Sequence, residues 1–133
     1  MPTPFAPKKI SICLLAIPEV SVGVLHGFFE VFSFVGSGWE MLTGWPQDPR
    51  RFLPWIVAVD RAPFLNTVGW PIHPDLSLAE AKRADIVIIP DLGIARDEDT
   101  RNRWPEVAAW LRVQHGQGAL ICSVCTGSLL WRG

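Results

Sequence analysis

Residues 118–130 read GALICSVCTGSLL. Ala119, Leu120 and Ile121 make an apolar run that leads into Cys125. Thr126 and Gly127 follow, and then the first apolar residues of a predicted helix. A cysteine on the sharp turn between a buried strand and a helix presents one reactive atom to solvent. The unpaired N–H groups and positive dipole end of the helix beneath it favour a thiolate. Eight residues follow Cys125, so this reading expects no partner for it from further downstream.

The chain upstream repeats the buried-strand pattern. ISICLLAI, residues 10–17, is apolar on both faces and is stopped by Pro18, which predicts a buried strand. FLPWIVAVD, ending at Asp60, and DIVIIP, ending at Pro90, are predicted as the second and third strands. Between the first two, Leu25, Phe28, Phe29, Phe32 and Val35 fall near helical spacing. They predict a helix from about Val22 to Leu42, with Gly36, Gly38 and Gly44 leaving its end open. GWPQDPRR, residues 44–51, reads as a loop, and Arg61–Asp75, with three prolines and Gly69, as a loop or a short hairpin. Ser77 with Glu80 three residues on has the spacing of a capping box, predicting a short helix over SLAEAKRAD. After a polar loop from Leu92 to Asn102, Val107, Trp110 and Leu111 mark one face of a helix over Arg103–His115. Pro105 fits its first turn and Gly116 and Gly118 end it. Alternation of doubly apolar strands with helices implies a parallel sheet flanked by helices on both faces, an α/β fold. Sites in such sheets lie at the carboxyl ends of the strands. Pro18-Glu19, Pro90-Asp91 and Cys125 all fall there.

Composition bounds the function classes. With 133 residues, 49% of them hydrophobic, the chain can build one domain with a real core. A net charge of -1 gives no electrostatic reason to expect this segment to contact nucleic acid. No apolar run approaches the roughly 18 residues that span a bilayer. Residues 1–8 read as a Pro-rich leader without the apolar stretch of a signal peptide, so a cytoplasmic location is expected for the domain over 9–133. Three cysteines, Cys13, Cys122 and Cys125, argue against a disulfide framework. Cys122 and Cys125 have CxxC spacing, but a strand turns residues three apart to opposite faces and only Cys125 reaches the turn. No second ligand pair accompanies them, so no metal and no cofactor is expected. The seven tryptophans are scattered and are expected to act as packing anchors.

Three segments together resemble the ThiJ/PfpI branch of the class I glutamine amidotransferase-like superfamily. LLAIPEVSVGVLHGFFEVFSFVG is similar to the family's first strand and helix, with Gly27, Glu30, Val31 and Phe32 in its small–acid–apolar pattern. ADIVIIPDLG resembles the strand that ends in Pro and a glycine turn, and GALICSVCTGSLL the nucleophile elbow, with Cys125 as the family cysteine. The resemblance covers nearly the whole chain and implies a flavodoxin-like fold. It also implies a longer domain, so the fold is expected to be incomplete at the C-terminus. A fragment, a truncated gene product, or a minimal form that covers its open faces by forming a homo-oligomer would each account for that.

The resemblance further implies an acid from the first helix beside the cysteine, but the aligned position is Val24, which cannot hydrogen-bond a thiolate. Glu19, at a strand's carboxyl end, is the candidate substitute. The family's Pro-Gly-Gly turn is here Pro90-Asp91-Leu92-Gly93. The N–H groups of Leu92 and Gly93, with Thr126 and Gly127 of the elbow, are the candidate oxyanion or ligand-binding groups. The family's base is a His beyond the elbow helix, which this sequence lacks. His26 is the candidate stand-in, while His73 reads as a loop residue and His115 as complementing a helix C-terminus. These departures favour a non-enzymatic or weakly active domain that takes a small-molecule ligand, similar to the sensing modules fused to AraC-type regulators. A cysteine-dependent hydratase- or deglycase-like enzyme and a thiol oxidation sensor are the alternatives. No membrane partner is expected.

Overall fold

The computed structural model describes residues 8–45 and 52–131. Residues 1–7 of the expected leader and residues 46–51 of the expected GWPQDPRR loop lie outside the described residues. The elements in chain order are β1 (Ile10–Leu15), α1 (Val22–Phe34), α2 (Gly38–Thr43), β2 (Phe52–Ala58), β3 (Phe64–Leu65), β4 (Pro71–Ile72), β5 (Leu76–Ser77), β6 (Ile86–Ile89), α3 (Pro105–Gly116), β7 (Leu120–Ser123) and α4 (Ser128–Trp131), the last preceded by a 3-10 turn over Cys125–Gly127.

Five strands form one parallel sheet in the order β5-β2-β1-β6-β7. The central strands carry the most buried residues because both of their faces are covered: Ile12, Leu14, Leu15, Val57, Val87 and Ile89 are closed to solvent. The crossover β1–α1–β2 moves one way along the sheet and β6–α3–β7 the other. Right-handed crossovers running in opposite directions put their helices on opposite faces. The expected α/β architecture is therefore present. It also creates a switch point between β1 and β6, where a crevice opens beyond the carboxyl ends.

Three local expectations are corrected and a fourth, the hairpin, is met. The long helix from Val22 to Leu42 is broken into α1 and α2, because Gly36 adopts φ 83°. Ser33 and Ser37 bend their hydroxyls back to Phe29 O (2.6 Å) and Ser33 O (3.0 Å), which further loosens that stretch. The Ser77 capping box forms, with Ser77 N–H donating to Glu80 Oε2 (2.8 Å) and Glu80 N–H to Ser77 Oγ (3.2 Å), yet no helix follows. The Ala81 carbonyl that would continue it is taken by Trp110 Nε1 (3.0 Å) and Gln114 Nε2 (3.1 Å) of α3. Tertiary hydrogen bonding thus stops the turn after one repeat and turns Ser77 into the end of an edge strand. The segment from Arg61 to Asp75 does hold a hairpin, β3 with β4, fastened by Asn66, whose Oδ1 accepts Trp70 N–H (2.9 Å) and Val68 N–H (3.1 Å). The tryptophans do not serve as anchors throughout: Trp110 is buried and Trp104 half-buried, while Trp39, Trp45, Trp55, Trp70 and Trp131 are exposed.

Candidate functional site

Three loops meet beyond the carboxyl ends of β1, β6 and β7. The first, after β1, carries Glu19 and is tied to the second on both sides. Gly93 N–H donates to Glu19 O (2.8 Å), Ser21 N–H to Asp91 O (3.0 Å), and Val20 bridges Leu92. From the other flank, Thr67 N–H donates to Pro18 O (2.9 Å) and Asn66 Nδ2 to Val20 O (3.3 Å). The third loop is the elbow. Val124 N–H, the last ladder group, donates to Ile89 O (2.9 Å), and the chain then turns sharply with Cys125 at φ 50°. A non-glycine residue is rarely held in this left-handed region, and outliers of this kind cluster at functional sites.

The elbow's two following residues explain why it closes here. Thr126 Oγ1 accepts Leu92 N–H (2.8 Å) and donates to Leu92 O (2.8 Å), pinning the elbow to the β6 loop. Gly127 sits so close to the end of β6 that an added Cβ would stand 2.5 Å from Pro90 O and 2.6 Å from Ile89 O. Only glycine fits that approach. Cys125 itself is exposed, and its carbonyl accepts Ser128 Oγ (3.1 Å).

The sequence-derived candidates are brought together only in part. The N–H groups of Leu92 and Gly93 lie in the right loop, but both are already donated, to Thr126 Oγ1 and Glu19 O. Gly127 N–H is likewise donated, to Val124 O (2.9 Å). Glu19 reaches inward, with a side chain only 11% exposed, and its Oε1 is held by Arg103 Nη2 at 2.8 Å. Its Oε2 is buried with no hydrogen-bond partner, as is Oδ1 of Asp91. His26 stands on the exposed side of α1, and Val24 is half-buried on the same helix. His73 is exposed, and His115 packs edge-on against Trp131 with ring centroids 5.5 Å apart.

Arg103 is the site residue that sequence reasoning missed. It also pairs with Glu98 and lies over the Trp104 ring at 5.2 Å, so one guanidinium ties the Ile94–Asn102 loop, the start of α3 and the end of β1 together. A single Arg before a Trp-Pro helix start carries no local signal of an acid at the end of a distant strand. Beside this cluster a pocket of about 270 Å³ opens, lined by Ile17, Pro18, Val59, Arg103, Trp104 and Val107 among others.

The cysteines are separated by burial. Burial pushes the Cys13 thiol up to about 11, so it stays protonated and inert at neutral pH. Cys122 is half-buried in β7 and Cys125 is at the surface. Among the described residues, no group of three or more His, Cys, Asp or Glu is placed to hold a metal ion, and no helix is long and apolar enough to cross a membrane.

Sheet order, crossover sense and elbow define a flavodoxin-like α/β fold of the ThiJ/PfpI type. Solved structures carry the same fold. The chain superposes on a protein from Vibrio parahaemolyticus provisionally described as a transcriptional regulator, with a TM-score of 0.68 and 17% identity over 92% of this chain and 60% of that one. A ThiJ/PfpI family protein from Pseudomonas syringae gives a TM-score of 0.65 and 19% identity over 94% of this chain and 46% of that one. An AraC family transcriptional regulator from Pseudomonas putida gives 0.61 and 18% over 91% and 58%. At these identities the likeness is one of fold. The chain spans about half to three-fifths of the length of these proteins. No family model matches the sequence, and no curated protein is similar enough to it to count as a relative.

Proposed function

We propose that this chain is a ThiJ/PfpI-type ligand-sensing domain whose elbow cysteine is not supported by a catalytic set, of the kind joined to AraC-type regulators. The observation that carries this reading is the state of the groups around Cys125. The N–H groups of Leu92 and Gly93 are spent on internal hydrogen bonds, and Glu19 is paired with Arg103 rather than left to a thiol. An oxyanion site needs donors aimed at developing charge, and donors already engaged must first be freed. The ligand would be a small molecule with an apolar body and a hydrogen-bond donor. Ile17, Val59 and Trp104 offer the apolar wall, and Glu106 a carboxylate acceptor in the same lining. Nucleic-acid contacts would belong to another domain.

A thermal-shift screen of small amines, amides and amino-acid derivatives tests this reading. Ligands that stabilise the wild type and lose their effect in Glu106→Gln support it. Turnover of glyoxals or isonitriles that vanishes in Cys125→Ser would replace it with the enzyme reading. That second reading draws on one observation, the exposed Cys125 held at φ 50°, a strained posture suited to a nucleophile.

A further inference from the structure

We propose that the carboxyl ends of β1 and β2 form an elongated cation site: a linear aliphatic diamine lies across Ile17, Pro18 and Val59 with one ammonium at Asp60 and the other at Glu106. The proposal rests on the sensing-domain reading above and names its ligand class. The strands themselves lay out the platform. Their parallel register sets Leu15 beside Val57, so Ile17-Pro18 and Val59-Asp60 leave the sheet side by side. Two hollows adjoin there and share Ile17, Pro18 and Val59. One, of about 340 Å³, runs on to Asp60, Ala62 and Phe64. The other, of about 270 Å³, runs on to Trp104, Glu106 and Val107. Both lie at the β2–β1 side of the sheet, and no described residue of β7 or α4 lines either. Val59 is 45% exposed although Ala58 before it is buried, so an apolar surface stands open between the two ends. The platform is fixed on both flanks: Thr67 N–H donates to Pro18 O (2.9 Å), and Arg103 Nη2 holds Glu19 Oε1 (2.8 Å). A preorganised surface loses little ordering freedom on binding.

Charge selects the occupant. Asp60 lines only the first hollow and Glu106 only the second, so a carboxylate stands on either side of the shared apolar wall. Asp60 Oδ1 accepts Ala62 N–H (2.8 Å), and among the described residues nothing engages its Oδ2. Glu106 makes no hydrogen bond or ion pair among the described residues. The nearby cations are already held: Arg103 by Glu19 and Glu98, and Arg61 by Glu80 (3.5 Å). Four carboxylates, Glu19, Glu98, Asp60 and Glu106, therefore surround the two hollows against the one guanidinium of Arg103. An anion would meet in the linings only that engaged guanidinium. A metal ion needs several ligands converging on one point, and among the described residues no group of three or more His, Cys, Asp or Glu does so. An alkyl chain with an ammonium at each end matches both features. Its ends make charge-assisted hydrogen bonds to the carboxylates. Each methylene laid on the wall tightens binding by up to about fourfold.

Calorimetric titration of the 133-residue chain with linear α,ω-diaminoalkanes of increasing length, each against the n-alkylamine of the same carbon count, tests the site. Affinity is expected to rise with each methylene, peak at the length that spans both carboxylates, and fall beyond it. At that length the diamine should bind about tenfold tighter than the monoamine, the effect of one added charge-assisted hydrogen bond. Asp60→Asn and Glu106→Gln should each remove that advantage, and added salt should shrink it. An amide oxygen at position 60 still accepts Ala62 N–H, so circular dichroism should report an unchanged fold. A diamine that binds no tighter than its monoamine at any length would overturn the inference. So would a diamine advantage that survives Asp60→Asn. In either case other ligands that still depend on Glu106 keep the sensing-domain reading standing, whereas that reading fails only when the dependence on Glu106 is itself lost.

Discussion

Replacing Gly127 by alanine tests the packing that makes the elbow. Its Cβ would stand 2.5 Å and 2.6 Å from two backbone carbonyl oxygens, where ordinary contact begins near 3.4 Å. Relief requires a displacement of about 0.9 Å (3.4 less 2.5) between the elbow and the end of β6. Neither side is a flexible side chain. The displaced backbone carries Val124 N–H to Ile89 O (2.9 Å), and Thr126 Oγ1 to Leu92 (2.8 Å) bonds the adjoining loop, so both weaken together. Overpacking costs about 1–3 kcal/mol and each lost hydrogen bond about 1 kcal/mol, a combined loss of about 3–5 kcal/mol. For a domain of this size that lowers Tm by about 10–20 °C. Urea unfolding followed by tryptophan fluorescence reads the change. Gly27→Ala is the matched control: its Cβ meets nothing within 4 Å inside α1, so it should stabilise by about 0.5–1 kcal/mol. The reasoning fails if Gly127→Ala lies within about 0.5 kcal/mol of wild type, the scatter of surface substitutions.

Iodoacetamide should label the native cysteines in the order Cys125, then Cys122, with Cys13 reacting only on unfolding; peptide mapping reads the order, and early labelling of Cys13 would contradict its burial. The raised Cys13 thiol also makes stability fall as pH rises from the ordinary thiol range, about 8.5, through about 11, because the unfolded chain loses that proton first. Ser11 N–H (2.9 Å), with Lys8 Nζ (3.2 Å) and Ser11 Oγ (3.1 Å), holds Asp85 below the usual aspartate range. Its contribution is complete above about pH 3.9 and is lost as pH falls through the lowered value, so Asp85→Asn should flatten the acid limb of a stability profile. Arg103→Ala leaves the Glu19 carboxylate buried without its cation and should cost about 2 kcal/mol in chemical denaturation. Adding Glu19→Gln should recover part of that loss, and a strictly additive double mutant would show that the pair is not coupled.

Much of the fold was legible because it rests on short-range rules. Doubly apolar runs at residues 10–17, 52–58 and 86–89 can be buried only in a sheet covered on both faces, and the helices between them force parallel pairing. The strand–Cys–Thr–Gly order located the elbow for the same reason: a buried strand must turn there, and a glycine two residues later permits close approach. The Ser77–Glu80 box was read as a helix because its local hydrogen bonds are those of a helix start. What stops it is a pair of donors on α3, some thirty residues away.

The site divides along the same line. Local patterning already placed particular residue types at the carboxyl ends of the strands: Glu19 after β1, Asp91 and Leu92 after β6, Cys125 after β7. Tertiary structure alone decided what they do there. It gave Glu19 to Arg103, spent the N–H groups of Leu92 and Gly93 on Thr126 and Glu19, and left His26 in solvent. The physical reason is range. Burial pattern and turn chemistry act over a few residues and are written locally, whereas a hydrogen-bond donor has one partner at a time, and only the folded chain selects which.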